Sequence, residues 1–291
     1  MNLQFTEYIT PLEIFDKAYN VISFQNRLHE NYCLNALREF VKIDKNIDVD
    51  EFSIIDVEEK KLLAKNVLYL PWKYDSFEED ANVRKILFSK MKHRLEQDTR
   101  LYEKSLKINH MLETFFYEVS SEMIVDNFKI EFDIEQMTIE SMAKMTKSHF
   151  LSMDESFSES IFKEKKAYLE FMLNTGSYQL LIVEMPETMM NNVEKKLFTN
   201  YLMGLQSQVT VLVLTRDVEY LSCQKNLECI HCINMRGEKY PLLKIINEGK
   251  LFTTNVNSLR ERVLFRILNR ENKRYSISEQ KLIDDLLAIN E

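Results

Sequence analysis

Basic side chains are the residues of this chain best suited to a binding function, and many of them lie close together. From Arg84 to Lys107 there are eight lysines and arginines against three carboxylates, and Lys85 and Lys92 are seven residues apart. Residues seven apart lie on one face of a helix, where a row of cations can neutralise phosphate groups without reading a base sequence. An ordinary solvated helix face is the alternative. The candidate DNA-binding residues are Lys85, Lys90, Lys92, Arg94, Arg100, Lys104 and Lys107.

Acidic side chains cluster just after this basic segment. Five carboxylates lie between Glu122 and Glu135. Carboxylate oxygens are the ligands that hard cations such as Ca²⁺ prefer, although the D-x-[DN]-x-[DN]-G loop of a dedicated calcium site is missing. The alternative is again a solvated surface. The candidate calcium ligands are Asp126, Glu131 and Asp133.

Motifs of the common enzyme classes are absent from the sequence. A phosphate-binding loop needs G-x-x-x-x-G-K-[ST], and the chain has only four glycines, at positions 176, 204, 237 and 249. No G-x-S-x-G or H-E-x-x-H sequence occurs either. Glu184 ends an apolar run, as a metal-holding acid would, but without a phosphate loop we interpret it as a solvated strand end. We predict a protein without catalysis and without a bound nucleotide.

Cysteine and histidine occur together in one short stretch, which raises the question of zinc. Cys229 and Cys232 flank His231. Zinc-binding cysteines converge at a tight turn, whereas these lie in a strand-like run that points them to opposite faces. We therefore predict buried, reduced thiols rather than a metal centre.

Charge and composition limit the partners and the location. The net charge is −8, so any polyanionic partner must meet a segregated basic surface. Glycine and proline number four each, which favours long helices over a turn-rich β fold. The N-terminus, MNLQFTEYIT, lacks the features of a signal peptide, and no apolar run approaches the roughly 20 residues of a membrane span. We expect a cytoplasmic protein without membrane contact.

Two apolar runs separated by a helical pattern indicate the core of the fold. The runs are Leu181–Glu184 and Val209–Thr215, and the segment between them has apolar residues at helical spacing. Continuous apolar runs are typical of strands buried on both faces, which occur in parallel sheets covered by helices. The sequence therefore predicts a βαβ unit in an α/β fold, with ligand chemistry at the carboxyl ends of the strands.

The remaining chain is predicted to contain further strands, a helical insertion and a tail. Strands are expected at MNLQF, AYNVISF, FSIID, NVLYL, KIEFDIE and ECIHCINM. Helices are expected at Leu28–Val41, at Thr138–Lys147, at Ile161–Leu173 and along two apolar stripes. One stripe contains Val83, Ile86, Leu87, Met91 and Leu95, and the other contains Ile108, Met111, Leu112, Phe115, Phe116, Val119 and Met123. In the tail, a strand is expected near Leu242–Ile246, and helices near Val256–Leu268 and at Glu279–Ile289.

This order of segments resembles one known family. The opening MNLQF, the stretch FSIIDVEEKKLLAKNVLYL, the stretch FKIEFDIEQMTIESMAK and the core QLLIVE…VTVLVLT follow one another as in the CRISPR-associated DNA-end-binding ring protein of subtype II-A systems. The resemblance covers about residues 1–234 and rests on pattern and spacing.

The resemblance implies a fold and a function. The fold is α/β, with a degenerate P-loop-ATPase-like head built on a parallel sheet (residues 1–75 and 148–235), a helical leg insertion (residues 76–147) and a C-terminal extension (residues 236–291). Such proteins form homotetrameric rings stabilised by Ca²⁺ and bind double-stranded DNA ends without sequence preference. They act without catalysis in spacer acquisition, an antiviral defence, together with the integrase complex and the effector nuclease.

Two features limit how far the resemblance extends. The tail continues for about 55 residues past Met235, beyond the end of short family members, and from Arg236 to Arg274 it has ten cations against four carboxylates. The candidate DNA and calcium residues match the family only by region. Two other functions therefore stay open: a degenerate ATPase-like assembly scaffold that does not bind DNA, and a metal-dependent nuclease.

Overall fold

The computed structural model describes most of the chain in two compact units. The described residues are 1–5, 9–42, 52–55, 60–74, 81–122, 124–125, 128–129, 161–249, 256–268 and 277–289. One unit combines Met1–Tyr74 with Glu159–Glu291, and the other is Asp75–Ser158. Residues 236–291 thus belong to the same compact unit as the sheet. The predicted boundaries of head, leg and extension stay predictions.

The first unit is built on a five-stranded parallel sheet. Its strands are β3 (Tyr19–Phe24), β5 (Val67–Leu70), β8 (Leu180–Glu184), β9 (Thr210–Leu214) and β10 (Ile230–Ile233), in the spatial order β10-β3-β9-β8-β5. Every residue of β3, β8, β9 and β10 is buried. This explains the continuous apolar runs, because both faces of the sheet are covered. The α/β fold with a parallel sheet is therefore confirmed.

The predicted βαβ unit is present at the centre of this sheet. β8 and β9 are parallel neighbours, with Leu181 opposite Val211, and the helix α5 (Asn192–Gly204) connects them. Asn191 begins α5 with a capping box: its side chain accepts hydrogen bonds from the N–H groups of Val193 and Glu194, both 3.0 Å long. The Glu194 carboxylate accepts the Asn191 N–H at 3.0 Å in return. These bonds fix the residue at which α5 begins after β8.

A small antiparallel sheet encloses the core on one side. It contains β1 (Asn2–Phe5), β2 (Leu12–Glu13) and β4 (Phe52–Ile55), in the order β2-β1-β4. The helix α1 (Arg27–Lys42) follows β3 and contributes Leu37 to a hydrophobic cluster with Leu3, Ile54 and Leu212. The cluster joins both sheets into one core. The strands predicted at MNLQF, AYNVISF, FSIID, NVLYL and ECIHCINM are all confirmed.

Helices make up most of what the structure describes in the rest of the first unit. They are α4 (Ile161–Thr175), the short α6 (Val218–Ser222), α7 (Leu242–Gly249), α8 (Val256–Ile267) and α9 (Ile277–Ile289). The strand predicted near Leu242–Ile246 is wrong, because this segment belongs to α7. Its buried residues Leu242, Ile245, Ile246 and Gly249 have helical spacing. A Cβ on Gly249 would lie 2.7 Å from Leu259 Cδ2, so the glycine permits close packing of α7 and α8.

The described part of the second unit consists mainly of two long helices, as predicted. They are α2 (Ala81–Gln97) and α3 (Thr99–Glu122), and they are followed by the two-residue strands β6 (Ile124–Val125) and β7 (Phe128–Lys129). The predicted apolar stripe of α3 is only partly buried, because Ile108, Met111 and Phe115 are exposed by 46%, 71% and 57%. The predicted strand KIEFDIE beyond Lys129 and the predicted helix at Thr138–Lys147 lie outside the described residues.

Candidate functional sites

The four candidate DNA-binding residues of α2 divide between two faces of the helix. At 3.6 residues per turn, Lys85 and Lys92 lie on one face. Lys90 and Arg94 are about one turn apart on a different face. The Lys92 Nζ is 3.9 Å from the Glu96 carboxylate, and such an exposed pair contributes little to stability. Helix α2 therefore has two positive surfaces rather than one.

The three candidate residues of α3 lie on a single face. Arg100, Lys104 and Lys107 follow i, i+4, i+7 spacing, and all three side chains are exposed. Arg100 Nε is 3.6 Å from the carboxylate of Asp98, the one residue between α2 and α3. Lys104 and Lys107 make no ion pair with any residue that the structure describes. This face can bind phosphate groups without first breaking strong contacts.

The predicted calcium ligands, Asp126, Glu131 and Asp133, all lie outside the described residues. Within the described ranges, no group of three or more His, Cys, Asp or Glu side chains is arranged to hold a metal ion. Calcium binding therefore stays a prediction from the sequence.

The carboxyl edge of the parallel sheet contains a second charged cluster, which the sequence did not reveal. Glu184, at the end of β8, is 1% exposed. Its carboxylate accepts a hydrogen bond of 3.2 Å from Arg38 Nε, a shorter bond from the same guanidinium, and a 2.5 Å bond from the Tyr69 hydroxyl. Burial and the Glu184 carboxylate raise the pKa of Tyr69, which keeps the phenol protonated. The interpretation of Glu184 as a solvated strand end was therefore wrong.

A buried lysine lies beside this ion pair. Lys165 on α4 is 1% exposed, and its Nζ has no hydrogen-bond partner among the residues that the structure describes. Burial lowers the pKa of Lys165 to about 8, against the opposing attraction of the Glu187 and Glu184 carboxylates. Burial also raises the pKa of Glu187, although its carboxylate accepts bonds of 2.9 Å from the Thr215 hydroxyl and from the Arg216 N–H. The edge thus holds buried and partly buried opposite charges close together.

Two further ion pairs connect this edge to the surrounding helices. Arg216 binds the buried carboxylate of Glu30 on α1, with Nε bonds of 2.8 and 2.9 Å and an Nη2 bond of 2.6 Å. Lys195 Nζ on α5 lies 2.8 Å from the carboxylate of Asp217, which also begins α6 by accepting the Glu219 N–H. The protein's own side chains therefore occupy the place where ligands usually bind in a parallel sheet.

The connection after strand β3 leaves no room for a phosphate-binding loop. Strand β3 ends at Phe24 and α1 begins at Arg27, so that only Gln25 and Asn26 connect them. The Asn26 side chain accepts the Leu28 N–H at 2.9 Å, and the Gln25 N–H donates to the Ile233 carbonyl at 2.9 Å. A phosphate-binding loop, which lies between a strand and the following helix, needs eight residues that include two glycines.

The cysteine and histidine stretch is buried, as predicted. Cys229 and Cys232 are free thiols, and burial raises the pKa of Cys232 to about 12. Burial lowers the pKa of His231 to about 3, so the imidazole is neutral. These groups are part of the core around β10.

Comparisons with known proteins support the fold but assign no family. No family model and no curated protein matches the chain. Among solved structures, the chain is similar to Stu0660 of Streptococcus thermophilus, with a TM-score of 0.64 and 13% identity over 99% of this chain and 92% of that chain. At that identity the likeness shows a shared fold and nothing more.

Two ATP-binding cassettes are much more distant. The cassette MJ1267 of an ABC transporter, in its ADP conformation, matches with a TM-score of 0.40 and 12% identity over 82% of this chain and 88% of that chain. The protein cbiO1 from Clostridium perfringens, part of the transporter complex cbiONQ, matches with a TM-score of 0.41 and 10% identity over 90% of this chain and 96% of that chain. These TM-scores are too low to support an argument. Along the part of the chain that the structure describes, no helix has the length and apolar character needed to cross a membrane.

Proposed function

We propose that this protein is a non-catalytic ring protein that binds the ends of double-stranded DNA without sequence preference and acts in CRISPR spacer acquisition. The observation that carries the proposal is the row of exposed cations Arg100, Lys104 and Lys107 on α3, directly after the cations of α2, in a chain with a net charge of −8. The family and the spacer-acquisition role come from the sequence resemblance. The fold likeness to Stu0660 supports a shared architecture.

Electrostatics supports a polyanionic partner such as a DNA duplex for this surface. An acidic chain repels DNA over most of its surface, so binding needs a segment where cations outnumber carboxylates. The segment 84–107 meets that need with eight against three. Contacts with phosphates alone carry no base specificity, which fits a protein that recognises an end rather than a sequence.

The parallel sheet is best explained as a P-loop-ATPase-like head that has lost its nucleotide site. Two observations support this proposal: the two-residue connection between β3 and α1, and the ion pairs that occupy the carboxyl edge. The remaining parts of the proposal rest on the resemblance alone. They are a homotetrameric ring stabilised by calcium at Asp126, Glu131 and Asp133, and partnership with the integrase complex and the effector nuclease.

Charge reversal tests the DNA-binding surface. The variant Lys85→Glu/Lys92→Glu/Arg94→Glu should weaken binding of a linear duplex on the order of 100-fold at physiological salt, because cations on both positive surfaces of α2 are replaced by carboxylates that repel phosphates. Binding is measured by gel shift or fluorescence anisotropy, and far-ultraviolet circular dichroism checks the fold.

A matched control separates local contacts from total charge. The variant Lys196→Glu/Lys225→Glu/Lys281→Glu changes the net charge by the same amount at three exposed positions of the other unit. It should keep most of the affinity. Equal losses in both variants would contradict the assignment of the surface on α2 and α3.

A scaffold that assembles proteins without binding DNA is the second candidate. The closed carboxyl edge favours it, since an ion-paired edge stabilises a fold that needs no ligand. This candidate predicts oligomers but no duplex binding at any salt concentration. A nuclease would instead cleave the duplex when Mg²⁺ or Mn²⁺ is added.

A further inference from the structure

Helix α2 has an exposed histidine between its two positive surfaces. Successive residues of a helix are about 100° apart around its axis. Lys92 and Arg94 therefore point to opposite sides of His93, and each belongs to a different positive surface. Lys85 and Lys90, the other members of these surfaces, lie about 80° and about 60° from His93 on the same two sides. The imidazole thus occupies the strip of surface that separates the two groups of cations.

The strip around His93 is neutral apart from the histidine itself. Ser89 lies one turn before His93 and Gln97 one turn after it, and all three side chains are exposed. Of these three, His93 alone can gain a proton near neutral pH. It makes no hydrogen bond or ion pair with any residue that the structure describes. A phosphate backbone that contacts both positive surfaces must cross this strip.

Few carboxylates lie near the strip. The closest along α2 is Glu96, one turn after His93, and its carboxylate is 3.9 Å from Lys92 Nζ. Helix α3 packs against α2. The charged residues at the connection and in the first turns of α3 are Asp98, Arg100, Glu103 and Lys104. Because the carboxylates of Glu96 and Asp98 each have a cation nearby, a protonated imidazole stays available to a phosphate group.

We propose that His93 binds a DNA phosphate when its imidazole is protonated, so that the two positive surfaces of α2 join and duplex binding strengthens as the pH falls. Histidine is the side chain whose charge commonly changes between pH 5 and pH 8. A nearby phosphate favours the charged form of an imidazole, so the binding of DNA and of the proton reinforce each other. The inference rests on the proposed function, because it adds a pH response to the same binding surface.

Counterion release sets the expected size of the effect. Each neutralised phosphate contributes about −0.9 to the slope of log affinity against log salt, which is about fivefold in affinity at physiological salt. Between pH 8.0 and pH 6.0 the affinity for a linear duplex should therefore rise about fivefold for each imidazole that contacts DNA. The slope should become steeper by up to about 0.9 for each of them.

Two substitutions at His93 test the contact. His93→Gln removes the proton site, so its affinity should lose most of the dependence on pH. His93→Lys has a permanent charge and should bind at pH 8.0 as tightly as the unaltered protein does at pH 6.0. As a matched control, His110→Gln removes a histidine of α3 whose Nδ1 is 4.0 Å from the Glu113 carboxylate, and it should keep the pH dependence. Fluorescence anisotropy from 50 to 300 mM salt at both pH values gives the affinities and slopes.

Proton uptake gives a second readout. Calorimetric titration with the duplex at pH 7 in buffers of different ionisation enthalpy should show proton binding by the unaltered protein and much less by His93→Lys. Equal loss of pH dependence in His93→Gln and His110→Gln would overturn the inference and leave the proposed function standing. The same holds if His93→Lys binds no more tightly than the unaltered protein at pH 8.0. If no variant binds the duplex at either pH, the proposed function is refuted and the inference falls with it.

Discussion

Glu184 and Arg38 form an ion pair that connects the end of β8 to helix α1 across the carboxyl edge of the sheet. Glu184 is 1% exposed, and the Arg38 side chain is 33% exposed, so the carboxylate depends on its partner for the hydrogen bonds that water would otherwise supply. This is the edge where parallel sheets commonly bind nucleotides and other ligands. In this protein the pair stabilises the connection between two elements of the core.

Removal of Arg38 should destabilise the fold severely. The variant Arg38→Ala leaves a buried carboxylate for which, among the described residues, the Tyr69 hydroxyl is the one remaining hydrogen-bond donor, and breaking a buried pair in this way costs about 3–5 kcal/mol of unfolding free energy. Urea denaturation measures the loss. Lys244→Ala, which removes the exposed Lys244–Glu248 pair, is the control and should cost less than about 1 kcal/mol. Similar losses in both variants would show that the Glu184 pair is not a buried one.

Lys165 should give the protein a distinct dependence of stability on pH. Its pKa is lowered from 10.5 to about 8, so between these values the unfolded chain binds more protons than the folded one. Stability from this group therefore rises as the pH rises from 8 to 10.5, by on the order of 3 kcal/mol. Below pH 8 the full cost of the buried charge is present.

The comparison with Lys165→Met isolates this effect. Burial also raises the pKa of all four cysteine thiols, which lowers stability at alkaline pH in both proteins. We expect Lys165→Met to be the more stable protein at pH 7 and its advantage to shrink towards pH 10. Thermal denaturation at both pH values measures the difference. A constant difference would mean that Lys165 has the same pKa in the folded and the unfolded chain, so that burial does not lower it.

Nucleotides should leave the stability of the protein unchanged. With Gln25 and Asn26 as the whole connection between β3 and α1, this connection is too short to form a loop of backbone N–H groups around phosphates. A nucleotide at a hundred times its dissociation constant would add about 2.7 kcal/mol of stability. Thermal shift assays with MgATP, MgADP and MgGTP at millimolar concentration should therefore show no rise in Tm. A clear rise with any of them would refute the loss of the nucleotide site.

DNA affinity should fall with salt in proportion to the number of phosphate contacts. Each neutralised phosphate contributes a slope of about −0.9 to the plot of log affinity against log salt. Lys85→Ala and Lys107→Ala should each reduce the slope by about that amount, whereas Lys225→Ala, at an exposed position of the other unit, should not. Titrations from 50 to 300 mM salt provide the slopes. Unchanged slopes in the first two variants would exclude those residues from the interface.

The sequence predicts the parts of this protein that follow from local patterns. The runs of β8 and β9 could be recognised as buried parallel strands because nothing in them alternates, and the helical spacing between them predicted α5. The strand prediction at Leu242–Ile246 is wrong because five mostly apolar residues fit a strand as well as one turn of a buried helix. The spacing of Leu242, Ile245, Ile246 and Gly249, which are the buried residues of α7, is the sequence signal that indicates a helix.

The charged edge could not be predicted, because its members are distant in the chain. Lys165 looks like any lysine of a charged helix, and Arg38 and Glu184 are separated by 146 residues. Only the strand order brings them together. The exposed faces of α2 and α3 could be predicted from spacing, but the exposure of Met111 and Phe115 could not, since a helical stripe of apolar residues normally indicates a buried face.

The most direct test of the account compares linear and covalently closed circular duplexes of the same sequence in one gel-shift series, with calcium and with a chelator. A ring that encloses DNA needs a free end, so we predict binding of the linear duplex, weaker binding in chelator, and no binding of the closed circle. Equal binding of linear and circular DNA, or no binding of either at low salt, would contradict the claim that this acidic protein encloses DNA with the cations of α2 and α3.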